Sequence, residues 1–345
     1  MPWYAVEALD DAFDATKALL TPLDARQWLA LAFVVFFLGN AGAGGTSVTA
    51  GGSSGAPADG PQVGPGGPPG QMGWEGDLPF AFGEILPIIA GVVAVALVVG
   101  LLYVLVGSVM EFVFVESLRR QRVRIRRYAD QHFGQAVGLF AFRAVLGMVV
   151  ALPALGLILG GVSVATGGPS VALGAVVLLV PLLVVAGLVV ALVDGLTVSF
   201  VVPVMILRDV GILDGWRRFW PTLTGQWKQY AVYVLVRFGL SLVVGTVASV
   251  VGGVVGAVLF APFAALGVVS VPALGGPEAI LSNPVAVALG VALLLGYLAL
   301  MTAVLAAVFV PVQTYLRYHA LLVLGDTEGD LDLIPELRGD VRETR

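Results

Sequence analysis

Residues 200–237 read FVVPVMILRDVGILDGWRRFWPTLTGQWKQYAVYVLVR. An apolar run ends through Pro203 and Leu207, a short segment rich in charge and tryptophan follows, and a second apolar run begins near Tyr230. Leu213, Trp216, Trp220, Leu223 and Trp227 recur at the three- and four-residue steps of one helix face. Arg208, Arg217, Arg218 and Lys228 lie among or beside them. A helix with rings on one face and arginines on another suits a membrane surface, with aromatics at headgroup level and charge in water.

The rest of the chain agrees with that setting. Hydrophobic residues are 58% and charged ones 12%, about half the roughly 25% of globular domains, and mean hydropathy is +0.97. A soluble fold has no use for so much apolar surface, so the class is a polytopic membrane protein. Cysteine is absent, which removes disulfide, thiolate-nucleophile and thiolate-metal chemistry. Acidic residues outnumber basic ones 23 to 18.

Uncharged apolar runs occupy 27–43, 85–110, 144–166, 171–193, 238–262 and 285–312. A bilayer core takes about 20 apolar residues per helix, so the first run is marginal and the other five are ample. The connection 39–79 is rich in Gly, Pro and Ser, and 167–170 and 263–284 join later runs; none of the three holds a Lys or Arg. All 18 basic residues fall in the alternate segments. Since Lys and Arg flanking spans stay in the cytoplasm, the expectation is a cell-membrane, multi-pass protein with six spans and both termini cytoplasmic. Residues 39–79 read as a flexible outside loop, and their GPGGPPG lacks the context of a phosphate cradle. A cleaved signal peptide ending near Ala43 fits poorly, because acidic residues dominate the stretch before the first run.

The expected fold is all-α, with six transmembrane helices in three helix-plus-hairpin units of about 1–115, 116–207 and 208–324. An acidic cytoplasmic tail, 325–345, would follow. Each unit opens with an amphipathic cytoplasmic surface helix: Val6, Leu9, Phe13 and Leu20 on one face in the first, residues 116–133 in the second, 209–227 in the third. Pro22, Gln27 and Trp28 parallel Pro221, Gln226 and Trp227, and the returning spans end in Leu118-Arg119, Leu207-Arg208 and Leu316-Arg317.

The run Val202-Pro203-Val204-Met205-Ile206-Leu207, followed by Gly211, Leu213 and Gly215-Trp216-Arg217-Arg218-Phe219-Trp220, resembles uncharacterised polytopic proteins of halophilic archaea. More distantly, residues 140–320 are similar to the membrane domain of glycerophosphoryl diester phosphodiesterases. The arginine-rich, acidic composition fits the first resemblance, although GC-rich codon usage alone gives a similar bias. Arg208-Asp209 stands where the wider group usually has Glu, and the expectation is that the chain leaves no room for a phosphodiesterase catalytic domain. The resemblance therefore implies a fold and a membrane setting, and no activity.

Charges within apolar runs are the natural candidates for function, since each costs about 2.5–3.5 kcal/mol at the bilayer centre on insertion scales. Arg143 and Arg237 lie inside outward spans, Glu111 precedes Arg119, and Asp194 sits about 20 Å from Arg208 along a continuous helix. The expectation is an intramembrane cluster in which Arg143 and Arg237 pair with Asp194 and Glu111, as a solute path or as a structural ion pair. Arg119, Arg120, Arg122, Arg124, Arg126 and Arg127, with Trp216, Trp220 and Trp227, are expected to contact lipid headgroups. The two histidines, His132 and His319, form no metal-ligand spacing, and no catalytic motif occurs. No cofactor, metal or nucleic acid is implied. The expected function is a non-enzymatic accessory or scaffold protein contacting membrane lipid, a membrane protein partner or a second copy. The alternatives are a permease for a small or lipid-like solute and, third, a membrane-embedded lipid enzyme.

Overall fold

A computed structural model describes residues 3–21, 24–41, 82–165, 171–273 and 283–343. Among them every regular element is a helix: α1 (Tyr4–Leu20), α2 (Ala25–Ala41), α3 (Phe82–Arg119), α4 (Ile125–Ala165), α5 (Val171–Leu196), α6 (Val202–Arg208), α7 (Ile212–Gly225), α8 (Trp227–Ala273), α9 (Pro284–Thr327) and α10 (Pro335–Glu343). A π-helical turn, Thr197–Val201, joins α5 to α6, and a 3₁₀ turn, Gly329–Leu331, precedes α10.

Five stretches are long and apolar enough to cross a membrane: Val93–Arg119, Ile125–Gly160, Leu178–Arg208, Trp227–Leu266 and Val285–Thr327. The protein is thus a multi-pass, all-helical membrane protein. The sixth expected span falls on α2, whose apolar part, Ala25–Leu38, is shorter than a span. The outside loop 39–79, past residue 41, and the connection 167–170 lie outside the described residues. Two boundaries differ from the sequence reading. Residues 116–133 form no separate surface helix: α3 ends at Arg119, a turn covers 120–124, and α4 runs unbroken from Ile125, because no proline interrupts it before Pro153. Similarly, α8 continues past Pro262 to Ala273, as helices in lipid tolerate proline.

The molecule has two zones. In the most apolar window of each long helix only 6–22% of the residues are buried, and Leu182, Leu188, Leu242 and Val258 are all exposed. Lipid is as apolar as leucine, so these helices gain little by burying such faces against one another. At the charged end the helices converge on a packed core from Val109–Leu118 of α3, the π turn, α6, and Leu316–Leu324 of α9. There α9 is central, packing against α1, α2 and α8, while α2, α3, α4 and α5 follow one another around the bundle.

The buried face of each surface helix is not the one marked by its exposed large apolar residues. In α1 it is Ala5, Ala8, Ala12 and Ala15, and Val6 and Phe13 point outward. In α7 it is Ile212, Gly215 and Phe219; Leu213, Trp220 and Trp227 are exposed, and Trp216 turns inward to donate from Nε1 to Thr197 Oγ1 at 3.2 Å. The C-terminal residues do not form a detached tail. Leu331, Leu333, Ile334 and Val341 are buried, and Arg342 pairs with Asp11 of α1 at 2.9 Å and with Asp326 of α9 at 2.7 Å. The hydrogen bonds that Arg342 donates to Asp326 hold its guanidinium above its ordinary pKa, so this clasp keeps its positive partner at any working pH.

Gly215 sets the distance between α7 and the π turn: a Cβ there would lie 2.9 Å from Val201 Cγ1 and 3.0 Å from Met205 Cγ. Gly215→Ala is expected to destabilise the protein by about 1–3 kcal/mol through overpacking. Gly138→Ala, inside α4 with nothing within 4 Å, should be near neutral or slightly stabilising; thermal unfolding in detergent compares the two.

Candidate functional site

Followed from its uncharged stretch toward the charged end, each of the five long helices meets one first charge. These are Glu111 in α3, Arg143 in α4, Asp194 in α5, Arg237 in α8 and Arg317 in α9. In a low-dielectric zone such groups must find each other. Arg143 Nε donates to Asp194 Oδ1 at 2.9 Å and its Nη2 to Glu111 Oε1 at 3.3 Å. The other Glu111 oxygen, Oε2, forms a close ion pair with Arg317 Nη2. Glu111 and Asp194 are each 3% exposed and Arg143 7%, so water screens these pairs little.

Arg317 is anchored a second time by the π turn. The Val202 N–H bonds the Thr197 carbonyl, five residues back. The Val198 carbonyl would then look to residue 203, which is proline and has no N–H. Arg317 Nη1 fills that gap, donating to Val198 O at 2.5 Å. The other π-turn residues are held as well: Ser199 Oγ accepts from Tyr233 OH at 3.1 Å, and the Phe200 ring stacks on Phe219 and meets Tyr230 and Tyr233 edge-on. Beyond Tyr233, His319 stacks on its ring, and His319 Nε2 lies 2.7 Å from the Ala5 carbonyl, so that nitrogen carries the proton.

Of the four residues expected to cluster, the structure brings Arg143, Asp194 and Glu111 together. Arg237 stays outside the ion pairs: it is half-buried, and its Nη1 donates to Tyr233 OH at 3.2 Å. Arg317 takes the place expected for Arg237, because it projects from the central helix toward Glu111. The sequence reading treated Arg317 only as a span boundary; the signal that would have found it is that it is the first charge after a long uncharged run.

The basic segment stands apart from this layer. Arg119, Arg120, Arg122, Arg124, Arg126 and Arg127 are all exposed. Arg119 and Arg120 flank the buried carboxylate of Glu116, and Arg120 also lies over the Tyr128 ring at 5.9 Å. A cavity of about 340 Å³ lies elsewhere at the charged end, lined by Tyr4, Glu7, Asp11, Asp326 and Arg342. Among the described residues no cluster of three or more His, Asp or Glu side chains is arranged to hold a metal.

If the layer is held by mutual neutralisation, removing one partner costs more than removing a pair. Arg143→Met should lose about 3–5 kcal/mol by stranding a buried charge. Arg143→Met with Asp194→Leu should lose less than Arg143→Met alone, a difference that a double-mutant cycle of unfolding measurements reads directly.

The model of a family of unknown function, DUF7544, matches residues 3–334, and the chain belongs to that family. No curated protein and no solved structure matches it. These comparisons lend no support to the resemblances to halophilic archaeal proteins or to phosphodiesterase membrane domains.

Proposed function

We propose that this member of DUF7544 is a non-enzymatic integral membrane protein, an accessory or scaffold that gathers anionic lipid at its charged face. The observation that carries this reading is a division of labour among the charges. The acids inside the apolar zone, Glu111 and Asp194, are committed to Arg143 and Arg317, while six arginines between 119 and 127 remain exposed at one end. Exposed guanidiniums grip headgroup phosphates, each contributing about 1 kcal/mol near an anionic surface, and the exposed rings of Trp220 and Trp227 suit the headgroup level. In this reading α2 completes a sixth span, and the basic segments and both termini face the cytoplasm. The surface helices α1 and α7 lie along that face.

The test is lipid selectivity in proteoliposomes, measured with spin-labelled phosphatidylglycerol against phosphatidylcholine. Wild type should prefer the anionic lipid several-fold, and the variant R122Q/R124Q/R126Q/R127Q should lose most of that preference. Equal preference in the two proteins would refute the proposal. The permease alternative requires water at Asp194, and the natural absence of cysteine makes Asp194→Cys a clean probe. Our reading expects it to resist water-borne thiol reagents from both sides; ready labelling would favour transport.

A further inference from the structure

The charge layer is not neutral. It holds three guanidiniums, Arg143, Arg237 and Arg317, against two carboxylates, Glu111 and Asp194. Both acids are taken by Arg143 and Arg317. Among the described residues Arg237 has no carboxylate within salt-bridge distance; its Nη1 donates to the Tyr233 hydroxyl. An arginine at the edge of an apolar zone without a carboxylate calls for an anion.

The layer thus has surplus positive charge, and the guanidinium left without a carboxylate is the one on α8. Access exists at Arg237, which is half-buried and flanked on α8 by the exposed Leu235 and Phe238. The planar fork of a guanidinium matches an oxyanion better than a spherical halide.

We propose that Arg237 is a binding site for one phosphate-class oxyanion, seated where α8 leaves its apolar stretch and neutralising the charge layer. Its exposed apolar neighbours, Leu235 and Phe238, favour a phosphate carried by a membrane lipid, and a free phosphate shares the chemistry. The site is separate from the arginines of 119–127, so the two proposals fail independently.

The test uses the full-length protein, purified in neutral detergent and stripped of lipid, with phosphatidylglycerol and inorganic phosphate as probes. Native mass spectrometry counts retained phosphatidylglycerol, and a thermal shift reads phosphate. One phosphatidylglycerol per chain should be retained, with affinity about tenfold lower in R237Q, partly restored in R237K, and unchanged in K17Q, which removes an exposed charge from α1. The same Arg237 dependence with phosphate but not with lipid would keep the site and assign it a free anion. Wild-type affinity for both probes in folded R237Q and R237K, or no binding of either probe to wild type, would overturn the proposal.

Discussion

The carboxylate of Glu111 is the point at which the chain closes on itself. One oxygen faces Arg143 from α4 and the other Arg317 from α9, so a single acid ties the middle of the sequence to its last long helix. Asp194 extends the tie to α5 through Arg143. The π turn completes it, since Pro203 cannot donate to the Val198 carbonyl and Arg317 does. In a low-dielectric setting none of these groups tolerates a missing neighbour, which makes four helices one cooperative unit although their apolar halves bury little surface.

That arrangement explains the two zones. The apolar helices need no core of their own where lipid is the solvent, and they expose valine and leucine on several sides. Register and spacing are set at the charged end instead, where Gly215 brings α7 against the π turn, alanines bring α1 against α9, and Arg342 clasps α10 to Asp11 and Asp326. Among the cations without an ion pair in the described residues are Arg122, Arg124, Arg126, Arg127 and Arg237, while Arg119 and Arg120 are held by Glu116.

Much of this was legible from residue order. Long uncharged runs mark the spanning helices, and the rule that buried charge needs a partner singles out Arg143, Asp194 and Glu111. Arg317 escaped because Leu316-Arg317 reads equally well as a span boundary; only the fold reveals that α9 runs on to Thr327 and points that guanidinium inward. The buried faces of α1 and α7 escaped for a different reason. In α1 a stripe of large apolar residues competes with one of alanine, and in α7 two apolar stripes compete, so periodicity alone does not choose. Close approach to α9 favours the alanines of α1 and leaves Phe13 outside, while Gly215 lets the Ile212 and Phe219 face of α7 seat against the π turn and leaves Trp220 outside. The unbroken start of α4 was hidden because a basic, polar segment reads the same whether it lies on a surface or prolongs a spanning helix.

We propose that every cation lies on one side of the membrane, with the ion-paired layer at that boundary. Single cysteines at positions 60 and 122, in a chain that has none of its own, report the side of each by labelling. An impermeant thiol reagent should modify position 60 in intact cells and position 122 only after permeabilisation. Modification of position 122 in intact cells, or both positions on the same side, would contradict the account.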